Sequence, residues 1–324
     1  MNYRLAALAA LALPLVAFLA PTTARAQPQA QPIPPASAPI ARIIAAVSIN
    51  GHGPFRFMLD TGATQAVLTE AAARELGLQP VRGTSVHVRG INGDRLASEV
   101  HIDTLDTGAL HFRDVDVPVL GGPVFEGLDG ILGVQGLGDM ELSVSFVQNR
   151  CVIEASPRRV DRRFSPGRPM RVLSQQLPMV QAQLAGMTVE AVIDTGASHT
   201  LGNPALLAAL RRAGAVDMLY GAPPIVDATA AKQPGRVGIT PPLQLGDVTL
   251  PPIPVTFADF EIFKTWGLMD RPALVLGMDA LGALAEFSID YGRLEMRVLA
   301  RPAGSAKGAR QASATAPEAD LARG

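Results

Sequence analysis

From residue 41 onward, short apolar runs alternate with polar breaks, and most runs are too short to make a helix. Residues 43–49, 55–59, 86–88, 115–119 and 144–146 are rich in Ile, Val, Leu and Phe, and Gly, Pro or Asn-Gly separate them. This pattern predicts strands joined by turns. Two segments read differently. TEAAARELG predicts a helix with Thr69 as its N-cap and Gly77 as its stop. NPALLAALRRAG predicts a second, with Asn203 as cap and Pro204 at the first helical position. Many short strands and one short helix in each half predict a mostly β fold.

The pattern occurs twice. The first copy runs FMLDTGATQAVLTEAAARELGL, then LDGILGVQGLG, then VSFVQNRCVI. The second runs AVIDTGASHTLGNPALLAALRRAG, then ALVLGMDALG, then FSIDYGRLEMRV. Asp60 and Asp194 are 134 positions apart, Gly133 and Gly277 are 144, and Ser145 and Ser288 are 143. Nearly constant offsets imply one unit used twice, giving lobes at 41–155 and 171–300 joined by a charged, proline-bearing linker at 156–170. The last alignment makes the turns at Asn149-Arg150 and Gly292-Arg293 equivalent. It sets Cys151 against Leu294, as a buried small hydrophobe.

Composition changes the picture mainly at the ends. Arg4 precedes an apolar run, and Ala24-Arg25-Ala26 offers a small-x-small cleavage pattern. Residues 1–26 therefore read as a signal peptide, and the chain is expected to be exported, periplasmic or secreted. Residues 27–40 read as a flexible Pro/Gln/Ala-rich tether, and 301–324 as a disordered tail. The remainder is globular, since apolar residues make up 48% of the chain and charged residues 18%. A formal net charge of −1 gives no footprint for nucleic acid. With Cys151 the single cysteine, no internal disulfide can form.

The candidate chemistry lies in the repeated element itself. Asp60 and Asp194 each end an apolar strand and are each followed by Thr-Gly-Ala and a hydroxyl residue, Thr64 or Ser198. Each lobe later supplies two apolar residues and a glycine, Ile131-Leu132-Gly133 and Val275-Leu276-Gly277. These paired motifs resemble those of the aspartic peptidase clan, pepsin-like and retropepsin-like, over about residues 41–300. The resemblance implies a bilobal acid-protease fold of two duplicated β-barrel-like lobes, each with one short helix after its DTG turn. It also implies that Asp60 and Asp194 form the catalytic dyad. By the same likeness, Thr61 and Thr195 bond across the lobe interface, and Gly62 and Gly196 let backbone approach the carboxylates. Two carboxylates about 3 Å apart cannot both ionise, so one serves as acid and the other as base.

Two departures from the pepsin-like pattern carry expectations. Ala63 and Ala197 replace a hydroxyl that would bond an aspartate, as in retropepsins, which should raise the dyad's pKa values and make the pH optimum less acidic. The hairpin over the cleft is expected at VHVRGINGDRLASEV, where Asn92-Gly93 signals a tight turn. No tyrosine occurs in it. IVDATAAKQPGRVGI is its second-lobe counterpart, with Tyr220 a weak substitute. Ala63, Thr64, Ala197, Ser198, Ile91, Asn92 and Gly93 are thus the candidate substrate-binding residues.

Other motifs have simpler readings. The third Asp-Thr-Gly-Ala, at Asp106, follows an alternating strand and is expected to be a hairpin turn. The five histidines lack metal-ligand spacing, so neither metal nor cofactor is expected. The expected partner is a polypeptide substrate, bound by a monomer that carries both aspartates. The alternative is a peptide-binding or scaffold protein of the same fold with little turnover.

Overall fold

The computed structural model describes residues 31–32, 42–108, 110–157, 161, 163–164, 166–173, 176–221 and 223–301. The expected signal segment, most of the tether and the tail beyond residue 301 lie outside the described residues. The chain is mostly β, with 54% of it in strands, and forms two closed six-stranded barrels.

Apolar alternation builds each barrel. In the first lobe, Ile44–Ile49 pairs with His52–Leu59, and the ring runs on through Gly130–Leu132, Val67–Thr69, Leu110–Leu120 and Asp94–Thr107. Pairing of Ser48 with Asp106 closes it. In the second, Leu177–Leu184, Met187–Ile193, Ala273–Leu276, Thr200–Gly202, Val248–Phe257 and Arg236–Leu245 follow the same order, and Leu184 against Leu243 closes the ring. Inward residues such as Val47, Phe57 and Ile102, or Val189, Leu243 and Val255, are fully buried. Truncating such a phenylalanine to alanine costs about 3–5 kcal/mol.

The strand ending in Asp60 lies parallel to Gly130–Leu132, and that ending in Asp194 lies parallel to Ala273–Leu276. A parallel neighbour cannot come from a hairpin. The apolar-apolar-Gly segment therefore has to return from far along the chain, which is why each DTG needs its distant partner.

Both predicted helices form, Glu70–Glu75 capped by Thr69 and Pro204–Arg212 capped by Asn203. Each follows its DTG turn, as expected, and the second lobe adds two further short helices, Glu261–Thr265 and Met278–Leu281. Neither had a helical signal, being too short to show a periodicity. Phe260 and Phe263, both buried, tie the first of them to the barrel.

A further antiparallel sheet joins the lobes, with Met140–Ser145 at its centre against Leu284–Asp290 and with Arg150–Ala155 and Glu295–Ala300 outside them. Ser143 pairs with Ser288 at the junction, so these two are the equivalent serines. This corrects the repeat alignment by two positions. Asn149 and Leu294, both with positive φ, occupy the same place in the two turns, and Cys151 corresponds to Met296, which is also buried. Leu294 is 45% exposed. The error arose because the turns differ in sequence, Phe-Val-Gln-Asn against Tyr-Gly-Arg-Leu. Burial pushes the Cys151 thiol up to about 12, as an inert core position requires. Arg297, 2% exposed, crosses this sheet to Glu141 of the first lobe at 3.2 Å. Removing one partner of such a pair costs about 3–5 kcal/mol.

Candidate active site

The two DTG loops meet where the barrels touch. Each strand delivers its aspartate through a main-chain bond to the neighbouring strand, Asp60 N–H to Leu132 O at 2.9 Å and Asp194 N–H to Leu276 O at 3.1 Å. The next residue locks the loops together. Thr61 is fully buried, donates to Ile193 O at 2.7 Å and accepts the Thr195 N–H at 3.1 Å. Thr195 does the reverse, donating to Leu59 O at 2.8 Å and accepting the Thr61 N–H at 3.0 Å. These four bonds join buried main-chain and hydroxyl groups that would be costly to leave unpaired.

Glycine follows because nothing larger fits. A Cβ on Gly62 would collide with the Asp194 carboxylate, and one on Gly196 with that of Asp60. Each glycine also donates its N–H to its own lobe's aspartate, Gly62 to Asp60 Oδ1 and Gly196 to Asp194 Oδ1, both at 2.8 Å. Ala197 adds a further N–H to Asp194 Oδ1 at 3.0 Å.

Burial is the main cause that raises the Asp60 carboxyl well above its ordinary 3.8; the Asp194 charge and a hydrogen bond between the two carboxyls add to it. The N–H groups of Gly62 and Ala63 pull it partly back. Asp194, 6% exposed, is also raised by burial, against which the Asp60 hydrogen bond and the N–H groups of Ala197, Gly196 and Gly62 work. The pair thus favours a single shared proton.

The other candidate positions divide into three groups. Ala63 packs against the first lobe's smaller apolar cluster, with Phe125, Leu128 and Ile131, while Ala197 belongs to the second lobe's counterpart with Leu201 and Phe260. Thr64 and Ser198 are half-buried on the two loops. Ile91, Asn92 and Gly93 form the tip of the expected hairpin, but the tip is a four-residue loop between Arg89 and Asp94, closed by Gly90 N–H to Gly93 O at 2.7 Å. The tight Asn-Gly turn is thereby corrected, because Ile91 and Asn92 are engaged by the other lobe. Asn92 N–H donates to Asp227 Oδ2 at 2.7 Å, its amide donates to Ile225 O and Ala231 O, and Ile262 N–H donates to Ile91 O at 3.1 Å. The second-lobe counterpart is the hairpin of Ile225–Val226 and Lys232–Gln233, so the two hairpins meet at their tips. Tyr220 lies in the strand Asp217–Gly221, and its side chain lies outside the described residues.

The hairpin expected at Asp106 pairs Thr107 with Leu110, but Asp106 itself is a strand residue paired with Ser48 and His111, and its Oδ1 meets His111 Nδ1 at 2.8 Å. Two acids near the site, one buried and one partly buried, were missed by the sequence reading. Asp279 accepts from Thr200 Oγ1 at 2.7 Å and from Thr200 N–H at 3.0 Å, bracing the second DTG loop. Burial raises its pKa. Asp227 is the other. A single polar residue in a loop gave no signal of burial, and only the second hairpin's place in the repeat pointed near it.

Comparison with known families divides the chain in the same way. Residues 45–139 match the family described as gag-polyprotein putative aspartyl protease, and residues 180–280 match that described as aspartyl protease. No curated protein matches the chain. One protease-family match falls on each DTG-bearing barrel, and the chain accordingly belongs to the retropepsin-like aspartic peptidases.

Proposed function

We propose that the chain is an aspartic endopeptidase that hydrolyses peptide bonds of extended polypeptides with Asp60 and Asp194 as its catalytic dyad. The observation that carries this reading is the reciprocal placement of the two carboxyls, each against the other lobe's glycine, with one proton favoured between them. In the resting pair one carboxyl holds the charge and the other the proton. A water between them gives a proton to the ionised member as its oxygen attacks the peptide carbonyl, while the protonated member donates its proton to the carbonyl oxygen. The tetrahedral diol then collapses. Its amide nitrogen takes the proton gained from the water, the C–N bond breaks, and a diol hydroxyl returns a proton to the carboxyl that gave one up as the carboxylic acid forms. The dyad ends with the single proton it began with.

Substrate runs between the dyad and the hairpin tips in extended form, as β-type recognition requires. The apolar clusters beside Ala63 and Ala197 favour apolar side chains around the cleaved bond. The chain works as a monomer, and residues 1–26 direct its export to the periplasm or beyond.

An unfolded polypeptide incubated with the enzyme is expected to be cut, and a peptide mimic with a central hydroxyl to block the cut. Asp60→Asn and Asp194→Asn are each expected to lower kcat by about 10²-fold or more. Cleavage that survives either substitution overturns the dyad. Tight binding of the mimic without any cleavage would leave a peptide-binding protein of the same fold.

A further inference from the structure

The two DTG loops share four residues and then diverge. Residues 60–66 read Asp-Thr-Gly-Ala-Thr-Gln-Ala and residues 194–200 read Asp-Thr-Gly-Ala-Ser-His-Thr, so Ala66 stands where the second loop has Thr200. After the apolar-apolar-Gly segments, exposed Gln135 likewise stands where the second lobe has Asp279. Both differences concern one contact. The Thr200 hydroxyl donates to Asp279 Oδ1 at 2.7 Å and the Thr200 N–H donates to Asp279 Oδ2 at 3.0 Å. Ala66 has no hydroxyl, and among the described residues the first loop has no side-chain lock of this kind.

In the second lobe the contact closes a ring. Asp194 N–H donates to Leu276 O at 3.1 Å, Met278 N–H to Ala197 O at 2.8 Å, and Gly277 N–H to Thr200 Oγ1 at 3.2 Å. Segments 194–200 and 276–279 are thus stitched along their length, and the Asp279 carboxylate ties off the far end. Its Oδ1 also accepts the Ala280 N–H at 2.8 Å. Inside the ring, Ala197 turns its N–H to Asp194 Oδ1 at 3.0 Å, so a donor to the dyad sits on the segment that Asp279 secures. Thr200 is fully buried and Asp279 largely so, where an unmade hydrogen bond is costly. His199 Nδ1 lies 4.0 Å from Asp279 Oδ2, but His199 is 58% exposed and such a pair contributes little.

We infer that Asp279 is a positioning residue for the dyad, acting through Thr200 to fix the second DTG loop and keep the Ala197 N–H on the Asp194 carboxyl. This rests on the endopeptidase reading above. Three donors converge on Asp279, and only an ionised carboxylate accepts all of them. A third carboxylate therefore serves the reaction without touching substrate. One lock is enough, because the bonds between Thr61 and Thr195 tie the first loop to the second.

Kinetics of four variants test the inference. Asp279→Asn keeps the shape but sets an NH₂ against either the Thr200 N–H or the Ala280 N–H. It is expected to lower kcat by about tenfold or more with KM little changed, and Thr200→Val is expected to do the same. The two combined are expected to cost little more than either alone. Thr200→Ser keeps the hydroxyl and is expected to retain kcat, as is Gln135→Ala in the first lobe. Wild-type kcat in Asp279→Asn would overturn the positioning role, and so would a loss in Thr200→Ser as large as that in Thr200→Val.

Amide hydrogen exchange in the whole protein needs no substrate and separates this inference from the endopeptidase reading. In Asp279→Asn the Ala197 and Thr200 amides are expected to exchange about tenfold faster or more, while the barrel strand Met187–Ile193 keeps its protection. Unchanged exchange at Ala197 would overturn the inference whether or not peptides are cut. Faster exchange in a protein that cuts no peptide would refute the endopeptidase reading and uphold Asp279 as the residue that fixes the loop.

Discussion

Thr61 and Thr195 clasp each other across the two lobes, each hydroxyl accepting the other's N–H, at 3.1 and 3.0 Å, and donating to the carbonyl just before the other aspartate. The carboxyl groups that follow are therefore held by main chain, which has far less freedom than side-chain rotamers. Preorganisation of this kind is what lets two acids share a proton without rearranging during the reaction.

Thr61→Val or Thr195→Val keeps the shape but orphans a buried N–H and a buried carbonyl. The expected loss is about 2–4 kcal/mol of stability, with a fall in kcat larger than any change in KM. Serine at either position keeps the hydroxyl and is expected to retain most activity. Thermal unfolding read beside steady-state kinetics checks both, and a valine variant with wild-type kcat would show that the clasp does not position the dyad.

Gly196→Ala tests the cradle. The added methyl would collide with the Asp60 carboxylate, so the acid must move and its distance to Asp194 must grow. Activity is expected to fall by about 10²-fold or more, while circular dichroism of the β barrels stays unchanged, since the loop and not the barrel gives way. Full activity in this variant would mean that the two lobes are spaced more loosely than the structure has them.

Much of this architecture was legible in the sequence, for identifiable reasons. Asp60 and Asp194 announce themselves because the same strand-loop-helix grammar surrounds both, down to the caps Thr69 and Asn203. The final hairpin misled by two positions, since Ser145 and Ser288 look alike while backbone pairing makes Ser143 the partner of Ser288. Residues defined only by tertiary contact left no trace: Asp227 is buried because Asn92 arrives from 135 positions away. The helix Glu261–Thr265 was hidden for a similar reason, its five residues being held by packing of Phe260 and Phe263 more than by any helical periodicity.

The activity profile with pH follows from the two raised carboxyls. One carboxyl of the pair has to be ionised to act as base, and burial raises both above 3.8, so the acid limb lies above that value. The other has to stay protonated, and burial with a like charge beside it holds the shared proton to higher pH. A bell-shaped kcat/KM profile is expected, with its maximum above about pH 4. No side-chain hydroxyl at Ala63 or Ala197 is present to stabilise the ionised forms. A maximum near pH 2 would contradict the burial that raises both groups.

The same shifts have a cost in stability whose sign can be tested separately from catalysis. An acid whose folded pKa is raised binds its proton more tightly in the native state than in the unfolded chain, so its stabilising contribution is complete below the unfolded value of about 3.8. That contribution is lost as pH rises through the raised folded value. Asp60→Asn removes the ionisation and keeps an oxygen for the Gly62 N–H, so the variant escapes the loss. Its Tm is expected to match wild type below about pH 4 and to exceed it increasingly toward neutrality, by about 2–4 °C for each kcal/mol regained. Thermal unfolding of both proteins from pH 3 to pH 8 makes the comparison. A variant less stable than wild type at neutral pH would show that the dyad is held together by its charge and not strained by it.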